Sequence, residues 1–312
     1  MISILCPCYN EEAVMPLFFE RVIKVMESAD CKEDFEIVCV NDGSKDNTLK
    51  ILKDFADKDK RIRVVDFSRN FGKEAALTAA LDYAKGDAVI PIDADLQHPP
   101  ELILKMIDKW REGYEVVLAK RLDRDTDTLL KKITASLFYK FHNIISQPKI
   151  PENVGDFRLM DRKVVDALGG LKETHRFMKG LFAWVGFKTC SIDYEVDKRV
   201  GGATKFSLWK LWKLALEGIT SFSAAPLTIW LYAGSVIAFS AFIYGLYIFM
   251  RTLIFGIDLP GYASLVCLIL FFGGLQLIGI GILGEYLGRT YIESKRRPVY
   301  IVREVYGNEE IL

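Results

Sequence analysis

Two long uncharged stretches near the end of the chain restrict what it can fold into. Residues 227–249 and 263–283 contain no Asp, Glu, Lys or Arg. Stretches of about 23 and about 21 mostly apolar residues are long enough to cross the hydrocarbon core of a bilayer as helices. Trp230 and Tyr262 lie near their ends, where interfacial aromatic residues are common. We therefore predict two transmembrane helices within residues 225–290; a buried hairpin of core helices is the alternative.

The charges around these stretches predict an orientation. Lys295, Arg296 and Arg297 follow the second stretch, whereas the segment between the stretches carries one basic residue, Arg251. Positive residues concentrate on the cytoplasmic side of membranes, so we expect both ends of the chain in the cytoplasm. The start of the chain reaches polar residues too soon to resemble a secretory leader, which agrees with a cytoplasmic front part. Lys and Arg number 41, as do Asp and Glu, and this zero net charge gives no reason to expect a nucleic acid partner.

The front part, residues 1–206, alternates short apolar runs with longer segments of helical period. The short runs predict strands at residues 2–6, 35–40, 62–67, 88–92 and 115–119. The longer segments predict helices at residues 12–27, 45–56, 74–84 and 100–110. Strands that alternate with helices predict right-handed βαβ units and a mostly parallel, Rossmann-like α/β sheet.

Polar and acidic residues follow three of these strands. The first strand runs into Pro7-Cys8-Tyr9-Asn10-Glu11-Glu12, the second into Asn41-Asp42-Gly43-Ser44, and the fourth into Asp93-Ala94-Asp95. Ligands of such sheets bind beyond the carboxyl ends of the strands, so we predict a site where these segments meet. The chain lacks the G-x-G-x-x-G and G-x-x-x-x-G-K-[ST] patterns, which argues against a dinucleotide-dependent dehydrogenase and a P-loop NTPase.

The Asp93-Ala94-Asp95 motif suggests a metal site. Two carboxylates at a strand end can turn toward one ion, and carboxylate oxygens suit Mg²⁺ or Mn²⁺. Such an ion would neutralise a nucleoside diphosphate and stabilise charge on the departing diphosphate. The same carboxylates could instead cap the helix that begins near Pro99-Pro100. The motif alone therefore leaves both interpretations open.

The three strand-end motifs together resemble those of family 2 glycosyltransferases with a GT-A fold, in residue type, order and spacing. Later segments, Gly155-Asp156-Phe157-Arg158-Leu159-Met160 and Gly201-Gly202-Ala203-Thr204-Lys205-Phe206, resemble the polyprenyl-phosphate glycosyltransferases within that family. Three further segments resemble the phage-type bactoprenol glucosyltransferases of O-antigen modification: Arg69-Asn70-Phe71-Gly72-Lys73-Glu74, Trp184-Val185-Gly186 and Gly284-Glu285-Tyr286-Leu287-Gly288-Arg289-Thr290-Tyr291. The resemblance covers essentially the whole chain, and it departs from many family members at Asn41, where they carry Asp.

This resemblance implies roles for the donor site. Pro7, Tyr9 and Glu11 are expected to line the uracil and ribose pocket of a UDP-sugar, and Asp42 to contact the nucleoside. A turn in which Ser44 caps the next helix is compatible with that role of Asp42.

The resemblance also implies roles around the diphosphate. Asp93 and Asp95 are expected to bind the diphosphate and the metal, with Asp95 coordinating directly and Gln97 assisting. Arg121 is placed to reach a phosphate; a solvated charge at a strand end is its alternative.

The resemblance implies acceptor chemistry at three further residues. Asp156 is the candidate general base, but a phosphate monoester is mostly ionised at neutral pH, since its second pKa is near 6. Asp156 would then orient the acceptor or stabilise positive charge on the sugar; a loop carboxylate paired with Arg158 is the alternative. Arg199 and Lys205 flank a glycine-rich segment that suits a phosphate of the acceptor or of the donor, or else a solvated loop.

The resemblance implies an inverting transfer of glucose from UDP-glucose to undecaprenyl (bactoprenyl) phosphate at the inner membrane of a bacterium. Another sugar (mannose, an N-acetylhexosamine or a modified arabinose) and a non-catalytic membrane scaffold are the alternatives. Residues 207–224 interleave apolar residues with Lys210 and Lys213, which predicts an amphipathic helix on the bilayer surface or one packed on the catalytic domain. Glycines in the second stretch permit close helix contact and thus a homo-oligomer. Residues 291–312 are expected to form a cytoplasmic tail.

Overall fold

The computed structural model describes residues 1–28, 31–122, 151, 154–174, 176–194, 225–255 and 261–307. The chain divides into two compact units. The first comprises Met1–Gly218 together with Arg297–Leu312, and the second is Ile219–Arg296. Elements are numbered below over the described residues only.

The first unit is built on a mixed sheet of eight described strands, in the order β7-β5-β6-β4-β1-β2-β3-β8. The strands are β1 Ile2–Cys8, β2 Phe35–Asn41, β3 Ile62–Phe67, β4 Ala88–Pro91, β5 Val116–Arg121, β6 Val154–Asp161, β7 Thr189–Tyr194 and β8 Val302–Tyr306. β1 pairs in parallel with β2 and β4, and β2 pairs in parallel with β3. These pairs confirm the predicted α/β sheet with mostly parallel strands.

Six described helices accompany the sheet: α1 Met15–Met26, α2 Thr48–Lys58, α3 Lys73–Tyr83, α4 Leu102–Arg111, α5 Arg162–Gly169 and α6 Met178–Trp184. Side chains of α1, α2 and α4, among them Phe18, Leu52 and Ile103, share one core cluster with the sheet. α3 contacts β1, β2 and α5, and α6 contacts β6. β1 and β2 consist almost entirely of buried residues, as expected for parallel strands that are covered on both faces.

The helix after β2 begins three residues later than predicted. Ser44 does not cap it, because the Ser44 hydroxyl accepts a hydrogen bond from the Asn10 N–H at 3.0 Å. The Asp46 carboxylate instead accepts from the Thr48 N–H at 3.0 Å, at the first residue of α2.

β6 was absent from the sequence prediction and changes the character of the sheet. It lies between β4 and β5 and runs antiparallel to both. Its residues mix Gly, Asp and Arg with apolar side chains, so the run lacks the buried continuity of β1 to β4. Its start therefore lies at the same edge as the carboxyl ends of β1, β2 and β4.

β8 comes after the second unit and returns to the first unit's sheet. It pairs antiparallel with β3, and the Tyr300 ring stacks on Phe67 with centroids 5.1 Å apart. The guanidinium of Arg303 lies 3.4 Å from the buried carboxylate of Asp66, which also accepts a hydrogen bond from the Asn41 amide at 2.7 Å. The predicted tail thus contains an ordered strand that belongs to the first unit.

The second unit consists of two described helices, α7 Ala225–Phe255 and α8 Tyr262–Ser294. Within them, Leu227–Phe255 and Phe271–Ser294 are long and apolar enough to cross a membrane. Glu285 and Arg289, predicted to pair on one helix face, form an ion pair at 3.0 Å. The predicted interfacial segment 207–224 lies outside the described residues.

The contact between Arg303 and Asp66 predicts a stability effect. The Asp66 side chain is 2% exposed, so Arg303→Met would leave a buried carboxylate without its cation. We expect the free energy of unfolding of the full chain to fall by about 1–3 kcal/mol, measured by thermal unfolding in detergent. Lys60→Met removes an exposed cation elsewhere and serves as the control; equal stability of the two variants would contradict the assignment.

Candidate functional site

The loops after β1 and β2 are tied to each other at the carboxyl edge of the sheet. The Lys45 N–H donates to the Asn10 amide oxygen at 2.8 Å, and the Glu11 N–H donates to the Thr48 hydroxyl at 2.8 Å. Asn10 adopts a left-handed backbone conformation with φ of 56°, which Asn tolerates better than most residues. The two predicted donor-binding segments, after Pro7 and around Asp42, therefore form one rigid rim.

The rim presents an aromatic side chain to solvent. Tyr9 is 43% exposed although it directly follows the buried β1. Glu11 is half-buried beside it in sequence and has polar partners of its own. An exposed phenol ring suits stacking on a flat ligand such as a nucleobase, and a carboxylate two residues along the chain can accept hydrogen bonds from a ribose.

Asp42 organises the next loop from a buried position. Its two carboxylate oxygens accept hydrogen bonds from the Phe71 N–H at 2.6 Å and the Gly72 N–H at 3.0 Å. Burial raises the pKa of Asp42, although these backbone donors act in the opposite direction. Gly43 has φ of 63°, and a side chain there would meet the backbone of Arg69 at 2.6 Å. Asp42 thus fixes the loop that leads into α3; its contact with a nucleoside stays a prediction.

The Asp93-Ala94-Asp95 motif lies immediately after β4. Asp95 accepts a hydrogen bond from the Gln97 N–H at 3.2 Å, across Leu96 in a left-handed conformation with φ of 55°. Asp93 is 29% exposed at its side chain and points to the start of α3. The turn places the motif at the carboxyl edge of the sheet, and a metal ion shared by the two carboxylates stays a prediction.

Lys73, which received no role from the sequence, joins Asp93 to Asp156. Its ammonium lies 2.7 Å from an Asp93 oxygen and 2.9 Å from an Asp156 oxygen. Burial would lower the pKa of Lys73, but the charges of the two carboxylates outweigh it and raise the pKa. The site therefore has a fixed positive charge at its centre, held by residues of α3, the β4 turn and β6.

Asp156 is ionised in this arrangement. Burial acts to raise the pKa of Asp156, but the charge and hydrogen bond of Lys73 outweigh burial and lower the pKa below its ordinary value. A carboxylate with a lowered pKa is a weak proton acceptor near neutral pH, and it is suited to interact with positive charge. This geometry favours electrostatic or orienting roles for Asp156 over proton removal.

Glu74, the residue after Lys73, has the opposite environment. Burial, with repulsion from Asp156, raises the pKa of Glu74 from its ordinary value of 4.5 to about 7. Its carboxylate accepts a hydrogen bond from the Met178 N–H at 3.3 Å, which ties α3 to the start of α6. The sequence signal for both residues was a Lys-Glu pair directly before a run of seven buried uncharged residues, Ala75–Leu81.

His98 lies against the same edge. Its ring packs near Phe157 and Tyr194, with centroids 5.1 and 5.9 Å away. Burial lowers the pKa of His98 despite the nearby charge of Asp93, so the ring is neutral at neutral pH. Its Nδ1 has no hydrogen-bond partner among the described residues.

Of the remaining predicted site residues, Arg121 lies within the described residues, whereas Arg199 and Lys205 do not. Arg121 ends β5 opposite Tyr194 of β7 and is half-buried with a polar partner. Arg199 and Lys205 lie outside the described residues, so their assignment to a phosphate stays a prediction.

The carboxylates of Asp93 and Asp95 suit a metal ion whose coordination shell is completed by a bound ligand. Among the described residues, no group of three or more His, Cys, Asp or Glu side chains is arranged to hold a metal ion. Mg²⁺ commonly binds through one or two protein carboxylates together with substrate phosphates and water. Asp93 and Asp95, with Gln97, supply that smaller set of hard oxygen ligands, so the residues present suit a metal bound with a diphosphate.

Comparison with known proteins gives consistent matches. The model of glycosyl transferase family 2 matches residues 3–169. The chain is 54% identical to the prophage bactoprenol glucosyl transferase homolog of Escherichia coli K12, over 97% of this chain and 99% of that protein. It is also 54% identical to the bactoprenol glucosyl transferase of Shigella phage SfV, over 97% and 98%.

Solved structures resemble the chain only distantly. One is glucosyl-3-phosphoglycerate synthase from Mycobacterium tuberculosis, in complex with Mn²⁺, UDP-glucose and phosphoglyceric acid. It has 20% sequence identity and a TM-score of 0.48 over 70% of this chain and 77% of that chain.

The raised pKa of Glu74 predicts a pH effect on stability. The folded state keeps the Glu74 proton between the ordinary value of 4.5 and about 7, so this group's contribution to stability is lost as pH rises through that window. A shift of this size corresponds to at most about 3–4 kcal/mol. The difference in unfolding temperature, Glu74→Gln minus wild type, should therefore be more positive at pH 8 than at pH 5. Glu20→Gln, at an exposed position, is the control. If the difference in unfolding temperature between Glu74→Gln and wild type is the same at pH 5 and pH 8, Glu74 does not keep its proton in the folded state.

Proposed function

The chain belongs to glycosyl transferase family 2, and from that membership we propose that it transfers glucose from UDP-glucose to undecaprenyl phosphate with inversion at the sugar. The chain is a glycosyltransferase, and relatives named bactoprenol glucosyl transferase match it over nearly their whole length. This full-length match is the observation that carries the proposal. It supports a polyprenyl phosphate as the acceptor, whereas glucose and UDP rest on the relatives' names and on the motif resemblance.

The proposed donor site uses the rim and the β4 turn. Tyr9 would stack on uracil, with Pro7 and Glu11 beside the base and ribose and Asp42 supporting the nucleoside side of the site. Asp93, Asp95 and Gln97 would hold Mg²⁺ or Mn²⁺, which when bound neutralises charge on the diphosphate. Arg121, at the end of β5, would add a positive charge toward a phosphate.

The proposed reaction needs little proton transfer. An oxygen of the acceptor phosphate forms a bond to the anomeric carbon while the bond from that carbon to UDP breaks, giving a β-linked sugar phosphate. Because the acceptor phosphate is already largely ionised at neutral pH, no strong base is required. The ionised Asp156, held by Lys73 at 2.9 Å, would orient the acceptor and stabilise positive charge on the sugar ring.

The path of the chain supports a membrane-anchored enzyme with both ends on one side. The first unit contains β1 and also β8, whereas the two long apolar helices lie between them in sequence. If both helices cross the bilayer, an even number of crossings returns the chain to the side that holds the sheet. With the positive cluster after α8, this supports a catalytic unit on the cytoplasmic face of a bacterial inner membrane.

A donor panel tests the function. Full-length protein in detergent is incubated with a polyprenyl phosphate and one donor at a time: UDP-glucose, a UDP-N-acetylhexosamine or GDP-mannose. A reaction without the polyprenyl phosphate is the control. We expect transfer from UDP-glucose with Mg²⁺ or Mn²⁺, and a loss of at least about 100-fold with EDTA, because a metal provides several kcal/mol of transition-state stabilisation. Asp95→Ala should show a comparable loss while still folding, and Asp57→Ala, an exposed carboxylate of α2, should not.

Three outcomes would change this proposal. Transfer from a different nucleotide sugar would replace glucose but keep the reaction class. Absence of transfer from every donor would refute the catalytic proposal and leave a membrane scaffold. Unchanged turnover in Asp95→Ala would remove Asp95 from the mechanism.

A further inference from the structure

A groove crosses β5, β6 and β7 beside α6. It consists of two adjoining cavities of about 200 and 400 Å³ that share Leu118, Pro151, Val154 and Thr189. Val117, Phe157 and Leu159 belong to the core on one face of the sheet. Because side chains alternate along a strand, Leu118 and Arg158, which are register partners, lie on the opposite face, where the groove runs.

Arg158 lines this groove from a buried position. The residue is 6% exposed, and its Nε has no hydrogen-bond partner among the described residues. One terminal nitrogen donates to the Gly155 carbonyl at 2.7 Å, and the guanidinium lies 4.1 Å from the Phe182 ring centroid. Burial lowers the pKa of Arg158 to about 10, against the opposing effect of Asp156. A buried guanidinium that is incompletely hydrogen-bonded is costly unless an anion or water completes it.

The rest of the lining combines positive charge with apolar surface. Lys179 lines the first cavity and Lys120 the second, and the described lining residues include no Asp or Glu. Phe182, Ala183 and Phe187 provide apolar walls around the first cavity. The groove therefore suits the end of a longer molecule that is anionic at its tip and apolar behind it.

We propose that this groove binds the phosphate-bearing end of an isoprenoid lipid, with the phosphate on Arg158 and the first part of the chain along Phe182 and Phe187. The inference rests on the proposed function for the identity of the acceptor. It gives roles to Arg158, Phe182 and Phe187, for which the resemblance implied none; the predicted acceptor residues are Asp156, Arg199 and Lys205.

The position of the groove along β6 fits an acceptor. Asp156 and Arg158 are two residues apart on one strand, so they lie on the same face roughly 7 Å apart. Asp156 contacts Lys73, which contacts Asp93 of the β4 turn. A phosphate on Arg158 would therefore lie two residues along β6 from Asp156, the carboxylate that leads to the donor side of the site.

Photolabelling tests the location directly. Wild-type full-length protein in detergent is irradiated with farnesyl phosphate that carries a diazirine on its chain, and the labelled peptides are identified by mass spectrometry. We expect label on α6 or on β5 to β7, displaced by unlabelled farnesyl phosphate but not by farnesol or by inorganic phosphate at the same concentration. Label confined to other segments, or equal displacement by farnesol, would overturn the proposal. This readout does not require turnover.

Steady-state kinetics of Ala183→Leu and Arg158→Lys provide a second, independent test of the groove. Ala183→Leu narrows the groove from α6, and Arg158→Lys keeps the charge but loses the planar fork. Each should raise KM for farnesyl phosphate at least about tenfold while KM for the nucleotide sugar stays within about twofold. Ala167→Leu, the same change on α5 outside the groove, should leave both constants unchanged. If wild type transfers sugar and Ala183→Leu keeps the acceptor KM of wild type, the groove is not the acceptor site, whereas the proposed function stands.

Discussion

The ammonium of Lys73, between the carboxylates of Asp93 and Asp156, is the contact on which the candidate site depends. Asp93 follows β4, Asp156 lies in β6, and Lys73 begins α3, so one cation joins three elements that are distant in sequence. Without it, two carboxylates would face each other at the edge of the sheet, and like charges at short range favour protonation of one of them. The cation therefore sets both the geometry and the ionisation of the site.

The position of Lys73 is in turn set from the neighbouring strand. Asp42, at the end of β2, accepts hydrogen bonds from the Phe71 and Gly72 N–H groups, directly before Lys73. Gly72 has φ of 98°, a conformation that favours glycine, and the chain then enters the buried α3. Asp42, which the motif resemblance assigns to donor binding, thus also stabilises the loop that leads into α3. Glu74 shows the contrast: burial outweighs the nearby charges of Lys73 and Lys179 and raises its pKa, whereas the contact with Lys73 lowers the pKa of Asp156.

The sequence predicted the parts of the fold that follow from local pattern. Continuous apolar runs correctly indicated β1 to β5, because strands covered on both faces need such runs. The same reasoning missed β6, whose Gly155, Asp156 and Arg158 interrupt the apolar pattern, and β7, which alternates exposed polar residues with less exposed ones. It also missed β8, whose pairing partner β3 is more than two hundred residues away along the chain. The strand-end motifs indicated where the site lies, but Lys73 could not be placed, since its partners come from separate strands. Pattern along the chain reports local structure, whereas contacts between strand ends depend on the register of the whole sheet.

A double-mutant cycle on turnover tests the coupling by Lys73 most directly. Rates of sugar transfer are measured for wild type, Lys73→Met, Asp156→Asn and the double variant, with Lys73→Met plus Glu20→Gln as the control cycle. If Lys73 acts by holding Asp156, the two losses overlap, and the cycle gives an interaction free energy of about 1–3 kcal/mol. Losses that add to within about 0.5 kcal/mol, as expected for the control, would show that Lys73 and Asp156 act independently and would contradict this account.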